Sequence, residues 1–515
     1  MESWADLMDD RRQLYERFPV APVGWSADGR AVDFVGPVTL GLGIGSLAIV
    51  DPQQGDGLIV VHVRDMRVTE REGSRAEQLA SGDAADPGAG ATITMSLRFV
   101  RGEGVVLGQL GSEGFASTTE SFPFGEELIR PATADEVRAV MDAIDGDQPT
   151  IGVGWLRDYP QVKARLHSRG FSRHTFMCGQ SGSGKTYTTG VLFERLLAHS
   201  TLPVLVLDPN SDHVHLGALA DPDDRSPEAE YYRRVMDSVS VARARGLDST
   251  FTLCVDFSDL EPETRAALLR LDPIADLDDY NALLQITAGL EAPYSVTDVA
   301  HAAAAVETSS GIARRIENLR LDQWGLWKQP GETSAVEADA MARRFVVADL
   351  GSLRSPDERT AVALAVLGNR WRARRRRQPA LLAIDEAHNV LPANTNNPLL
   401  RAASETGVLI AGEGRKFGLH LFIASQRPGK VHPNVVSQCD NLILMRMNGV
   451  GDVADLEALF SHVPPTLLRE SLTFGLGQAL FAGRIAPAPL LAQIGKRLTP
   501  EGGSDVPTTW SAPPT

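Results

Sequence analysis

The sequence is poor in cysteine, in lysine and in long apolar runs, and each shortage excludes a class of protein. Three cysteines in 515 residues, Cys178, Cys254 and Cys439, stand far apart, with no CxxC pair and no metal-ligand spacing, so neither a disulfide framework nor a structural zinc site organises the chain. They are expected as buried free thiols in a reducing compartment. No stretch has the apolar length that crossing a bilayer requires. The first residues, MESWADLMDDRRQ, lack the basic segment and apolar core of a secretory signal, so the expectation is a cytoplasmic protein with no membrane partner. Only six lysines occur, and the formal net charge is −16, which excludes a surface broadly coated with phosphate-neutralising cations. Any DNA contact is then local, as on the basic inner wall of a ring whose outside is acidic. A protein that never touches DNA satisfies the same charge.

What is present is the composition of a soluble globular chain, 43% hydrophobic and 23% charged, long enough for two or three domains. From about Val20 to Leu110, short alternating runs such as LIVVHVRDMRV and ATITMSLRFV are broken by Gly, Asp and Pro, the pattern of a small antiparallel β-barrel, assigned to residues 1–132. Ser74 to Ala91 reads as a mobile hairpin loop. TADEVRAVMDAI, from Thr133, predicts a short linking helix. The second domain starts near Ile151 and is of α/β class. Its apolar strands HTFMC, PVLVLD, FVVADL, ALLAID and LHLFIAS alternate with helices, which implies a mainly parallel sheet covered on both faces. This core is assigned to 133–212 and 345–486. Residues 213–344 read as a helical insertion subdomain, with PEAEYYRRVMDSVSVARARG among its amphipathic segments. Residues 487–515 lose regular periodicity and read as a disordered tail or an arm that packs on something else.

GQSGSGKT, from Gly179 to Thr186, matches GxxxxGK[ST] between an apolar strand and the helical TYTTGVLFERLL. Main-chain N–H groups of Gly179, Gln180, Ser181, Gly182, Ser183 and Gly184 are expected to wrap the phosphates of ATP, with the positive end of the next helix aimed at the same charge. Tyr187, in that helix's first turn, is counted with the cofactor-binding residues. Lys185 is expected to reach the β- and γ-phosphates, and Thr186 to ligate Mg2+ through its hydroxyl. ALLAIDEAH ends a buried strand in two carboxylates. Asp385 suits a magnesium ligand, direct or through water, and Glu386 suits a group that orients or deprotonates the attacking water; a solvated turn is the plain alternative. In LHLFIASQRP, Gln426 leaves a strand at the same edge, where an amide can bond both a γ-phosphate oxygen and the lytic water without adding charge. A simple loop contact is its alternative.

These pieces, in this order, resemble the HerA branch of the HerA/FtsK group of ring-forming DNA motors. The likeness is carried by RHTFMCGQSGSGKT at Arg173, VLVLDPNSD at Val204, VVADLGSL at Val346, LLAIDEAHNVLP at Leu381 and, most specifically, GEGRKFGLHLFIASQRP at Gly412. The resemblance implies a RecA-like P-loop core with an N-terminal β-barrel, a helical insertion ahead of the paired acids, and a C-terminal brace over a neighbouring subunit after Pro487. It implies ATP between subunits of a homo-hexamer, with Arg415 of the GRK motif reaching the neighbour's γ-phosphate. Arg173 resembles a family position acting within its own subunit, and contact of Arg446 with nucleotide is left open. The resemblance also implies translocation of double-stranded DNA into a partner, because no nuclease motif occurs in this chain: a NurA-like nuclease in end processing, or another effector, nuclease or NADase, in anti-phage defence. The rival expectation is a ring scaffold that uses ATP to assemble and license its effector with little translocation.

Three features invite other readings. NRWRARRRRQP sprays its arginines around a helix circumference and ends at a Pro, which favours a solvated helix terminus over a DNA stripe. His213 and His215 lack companions at metal-ligand spacing and read as surface or packing residues. PANTNNP, Pro392 to Pro398, reads equally as a pore-facing loop or a surface loop.

Overall fold

The computed structural model describes residues 20–53, 57–72, 96–118, 121–306, 309–334, 343–486 and 488–502. The acidic N-terminus, the hairpin loop expected at Ser74 to Ala91 and the tail beyond Gly502 lie outside the described residues.

Alternation of small apolar and polar residues builds the first unit from β1 (Val23–Ser26), β2 (Ala31–Pro37), β3 (Leu47–Asp51), β4 (Leu58–Glu72), β5 (Ser96–Gly111), β6 (Gly114–Ser117) and β7 (Phe124–Pro131). They pair in the order β2-β1-β7-β3-β4-β5-β6, and β2 also pairs with β5. Six strands therefore close into an antiparallel barrel, with β6 attached to β5 as a hairpin. Closure removes the free sheet edges. Along β2 every second residue points inward, and Val32 and Phe34 join Val50, Ile59, Val61 and Ile129 in the barrel core. The helix Ala134–Asp145 begins at a capping box between Thr133 and Glu136 and lies against β6. This unit runs to Asp147, so the break falls after the helix and not at 132.

Longer apolar runs build one twelve-stranded sheet in the second unit. Its strands are β8 (Thr150–Leu156), β9 (Lys163–His167), β10 (Thr175–Cys178), β11 (Val204–Asp208), β12 (Val239–Arg243), β13 (Phe251–Thr252), β14 (Phe345–Asp349), β15 (Ala380–Ile384), β16 (Leu419–Ser425), β17 (Asn441–Leu444), β18 (Gln478–Ala482) and β19 (Leu490–Ile494). The order is β13-β12-β14-β11-β15-β16-β10-β17-β18-β19-β8-β9, parallel from β13 to β17 and antiparallel from there to β9. All residues of β11, β14, β15 and β16 are buried, as a sheet covered on both faces requires. Cys178, Cys254 and Cys439 are buried free thiols. Among the described residues no helix is long and apolar enough to cross a membrane.

Two expectations are corrected here. The 213–344 segment is helical only in part: PEAEYYR forms the helix Pro227–Arg233, but VSVAR is β12, paired in parallel with β14. An alternating five-residue strand is hidden inside an amphipathic window until a sheet edge is there to receive it. The chain after Pro487 is not an arm over a neighbour as far as Gly502. β19 lies between β18 and β8, and the residues after it dock on the helix Lys185–His199. The buried Glu194 carboxylate of that helix accepts from Leu498 N at 3.0 Å, Thr499 N at 2.7 Å and Thr499 Oγ1 at 2.8 Å. Glu194→Ala strands these donors, and we expect a loss of roughly 3 kcal/mol in unfolding free energy, with new protease cleavage beyond Ile494 in limited proteolysis.

Candidate active site

β10 ends in register with β16 and β17, Cys178 opposite Ser425 and Leu444, so the loop after it opens where the chain leaves both neighbours. Gly182 (φ 72°) and Gly184 (φ 91°) take left-handed conformations that a Cβ disfavours. Gly184 starts the helix Lys185–His199 with no side-chain cap. The first N–H groups of a helix lack intrahelical acceptors, so this end presents donors and the positive dipole pole to an anion. Arg446, leaving β17, donates from Nη2 to Gly182 O at 2.9 Å and accepts at its own carbonyl from Gln180 N at 3.0 Å. It therefore touches the phosphate loop. Tyr187 faces elsewhere with its hydroxyl, which accepts from Arg497 N at 2.7 Å and ties the helix to the C-terminal segment.

The paired acids arrive from β15, two strands away. Lys185 is buried, with Nζ 2.9 Å from Asp385 Oδ1 and 2.8 Å from Glu386 Oε1. Successive side chains of an extended strand point to opposite faces. Glu386 breaks that alternation by adopting φ 42°, a left-handed conformation that is costly for a residue with a Cβ, and both carboxylates meet one ammonium. Burial pushes the Lys185 pKa down, Asp385 and Glu386 push it up harder, and it is raised. Burial alone would raise Asp385; the Lys185 charge, His213 and the hydrogen bonds from Lys185 and Glu386 N together outweigh it and hold the carboxyl below its ordinary value. Gln426 Nε2 donates to Glu386 Oε1 at 2.8 Å. His388, in the same DEAH string but passed over by the sequence reading, places Nδ1 3.3 Å from both Glu386 Oε2 and Ser425 Oγ. Burial depresses its pKa in spite of Glu386.

β11 lies directly beside β15, Leu207 opposite Ile384, and so brings in Asp208, which the sequence reading missed, together with His213. Asp208 accepts from Asp212 N at 3.1 Å and His213 N at 2.8 Å; burial, followed by the Asp385 charge, pushes its carboxyl up to about 7. His213, read from the sequence as a surface or packing residue, is fully buried, and its Nε2 lies 3.9 Å from Asp385 Oδ2. The available signal was a shared pattern: VLVLD, FVVAD and LLAID each end an apolar strand in Asp, and parallel neighbours in register bring such ends to one edge. For Mg2+ the donor set fits. Thr186 offers a hydroxyl, and Asp385 Oδ2 is a buried oxygen with no hydrogen-bond partner, both hard donors of the kind this cation takes.

Arg415 and Arg173 lie at the opposite edge. Arg415 Nη1 donates to Asp440 Oδ2 at 2.8 Å and Arg173 Nη1 to the same oxygen at 3.3 Å. Asp440 directly precedes β17 and Arg173 lies two residues before β10, both at N-terminal strand ends, whereas the phosphate loop follows the C-terminal end of β10. Even these four-residue strands span about 13 Å, and the body of the sheet stands between. Arg173 thus shares an acid with Arg415 of its own chain, on the far side of the sheet from its own phosphate loop.

Residues 151–361 match a family model described as the central domain of helicase HerA. Over 129 residues the chain is 33% identical to the probable DNA double-strand break repair helicase HerA of Methanocaldococcus jannaschii, a stretch covering 25% of each chain. A second probable helicase of that archaeon is 23% identical over 434 residues, 78% of this chain and 80% of its own. Among solved structures, VirB4 of Thermoanaerobacter pseudethanolicus is similar at 18% identity and a TM-score of 0.48, covering 68% of this chain and 97% of that one. The chain thus spans about a quarter of the length of the first HerA relative it matches.

The buried triad has a cost when broken. Lys185→Ala leaves two acids without their countercharge, and unfolding free energy measured without nucleotide or divalent cation is expected to fall by about 3–5 kcal/mol. A fall below about 1 kcal/mol would show that the pairing adds no net stability.

Proposed function

We propose that this chain, which carries a HerA-type central domain, is a magnesium-dependent ATP hydrolase that works as a homo-hexameric ring. In this reading it drives double-stranded DNA toward a separate effector, a NurA-like nuclease or another enzyme of end processing or phage defence. One observation carries the hydrolase: Lys185 of the phosphate loop meets Asp385, 200 positions away in sequence, at a single sheet edge, with Glu386 on the same ammonium.

On nucleotide binding, the amides at the start of the Lys185–His199 helix take the phosphates, and Lys185 exchanges its carboxylates for β- and γ-oxygens. Asp385 and Thr186, then free, would hold a magnesium ion, which when bound would supply charge neutralisation and orientation of the phosphates. Glu386, released from the ammonium, orients or deprotonates the attacking water. Gln426 keeps its amide on Glu386 and lies where it senses the γ-phosphate. Because Arg415 is turned away from its own phosphate loop, it serves the loop of the next subunit, where it stabilises the charge of the transferring phosphoryl group. This placement supports a ring. The relatives named as DNA double-strand break repair helicases support DNA as the cargo.

Lys185→Ala is expected to abolish ATP binding, while Glu386→Gln binds ATP and does not cleave it; isothermal titration and phosphate release separate the two. Arg415→Ala should bind ATP normally with turnover reduced by roughly 10³–10⁵, partly restored in rings mixed with Lys185→Ala subunits. Failure of the mixture to recover activity argues for a finger acting in cis. Duplex DNA should stimulate ATP turnover, and the isolated ring should displace a protein roadblock from DNA. Slow turnover indifferent to DNA would instead identify a ring that licenses its effector without translocating.

A further inference from the structure

Asp208, Asp212 and Asp385 each offer a carboxylate oxygen, and the three lie within 4.8 Å of one another. Like charges at this spacing repel, and the repulsion grows as water is excluded; Asp208 and Asp385 are both buried. Lys185 answers only part of it, through Asp385 Oδ1, while Oδ2 is buried without a hydrogen-bond partner. The second observation is independent of the acids. The imidazole of His213 is fully buried, neither of its nitrogens makes a hydrogen bond, and Nε2 is aimed at Asp385 Oδ2 from 3.9 Å. Buried polar groups of native proteins are nearly always paired, so an imidazole and a carboxylate facing each other at that distance mark a place for something between them.

We infer that Asp208, Asp212 and Asp385, with His213 at the side, form a divalent-cation site that fills without nucleotide. Three carboxylate oxygens suit Mn2+ or Mg2+, with the imidazole beside them. A cation there competes with the Lys185 ammonium for Asp385 and so frees Lys185 for phosphate: the cation primes the phosphate loop. The site shares Asp385 with the nucleotide site, yet stands whether or not the chain hydrolyses ATP.

The test uses the full chain, stripped by chelation and titrated with Mn2+ in the absence of nucleotide, free Mn2+ being read by electron paramagnetic resonance. Wild type should bind one Mn2+ per chain saturably. Asp212→Asn should weaken binding at least tenfold, and Lys185→Ala, which removes the competing ammonium, should tighten it. Asp208 also holds its own turn through main-chain N–H groups, so Asp212→Asn, at a half-buried position, is the principal variant, with circular dichroism checking that each variant is folded. The inference is overturned if wild type shows no saturable Mn2+ binding at neutral pH, in which case a proton relieves the repulsion. It is equally overturned if binding is unchanged in Asp212→Asn and Asp208→Asn. Failure of the hydrolase reading looks different: Mn2+ still binds, and ATP does not.

Discussion

The contact of one buried ammonium with two carboxylates at the edge of a parallel sheet is the constraint on which the rest of this structure depends. Lys185, Asp385 and Glu386 come from two segments far apart in sequence, and they meet because β15, β16 and β10 are parallel neighbours whose C-terminal ends lie level. Charges this deeply buried are tolerated only when paired. The pairing therefore fixes the phosphate loop, the left-handed turn at Glu386 and the amide of Gln426 into one unit. In the function proposed above, a phosphate replaces the carboxylates around Lys185 and sets both acids free.

The two edges of the sheet divide the labour. The C-terminal edge gathers the phosphate loop, three strand-ending aspartates and Gln426; the N-terminal edge gathers Arg173, Arg415 and Asp440. Asp440 holds both guanidinium groups through one oxygen, so its single negative charge is shared by two positive ones, and the pair keeps a surplus for an anion presented from outside. The C-terminal segment adds support from behind. Arg497 and Thr499 pin the phosphate-loop helix through Tyr187 and Glu194, so the cradle is backed by residues more than three hundred positions later.

The phosphate loop, the paired acids and the closed barrel were legible in the amino-acid sequence because each is written locally. GQSGSGKT needs glycine at its left-handed positions, a buried strand is a run of apolar residues, and a barrel strand alternates. β12 and β19 were not legible, since VSVAR sits inside an amphipathic window and LLAQI inside an irregular stretch, and neither outweighs that reading without a partner strand. The sequence by itself determined the chemistry available, a phosphate-binding loop with its lysine and hydroxyl, two acids and an amide. Only the tertiary structure decided who faces whom: strand order sets Asp208 and His213 beside Asp385, and strand direction turns Arg173 and Arg415 away from their own phosphate loop. Order and direction in a sheet are long-range properties, fixed by packing between segments that carry no local record of their neighbours.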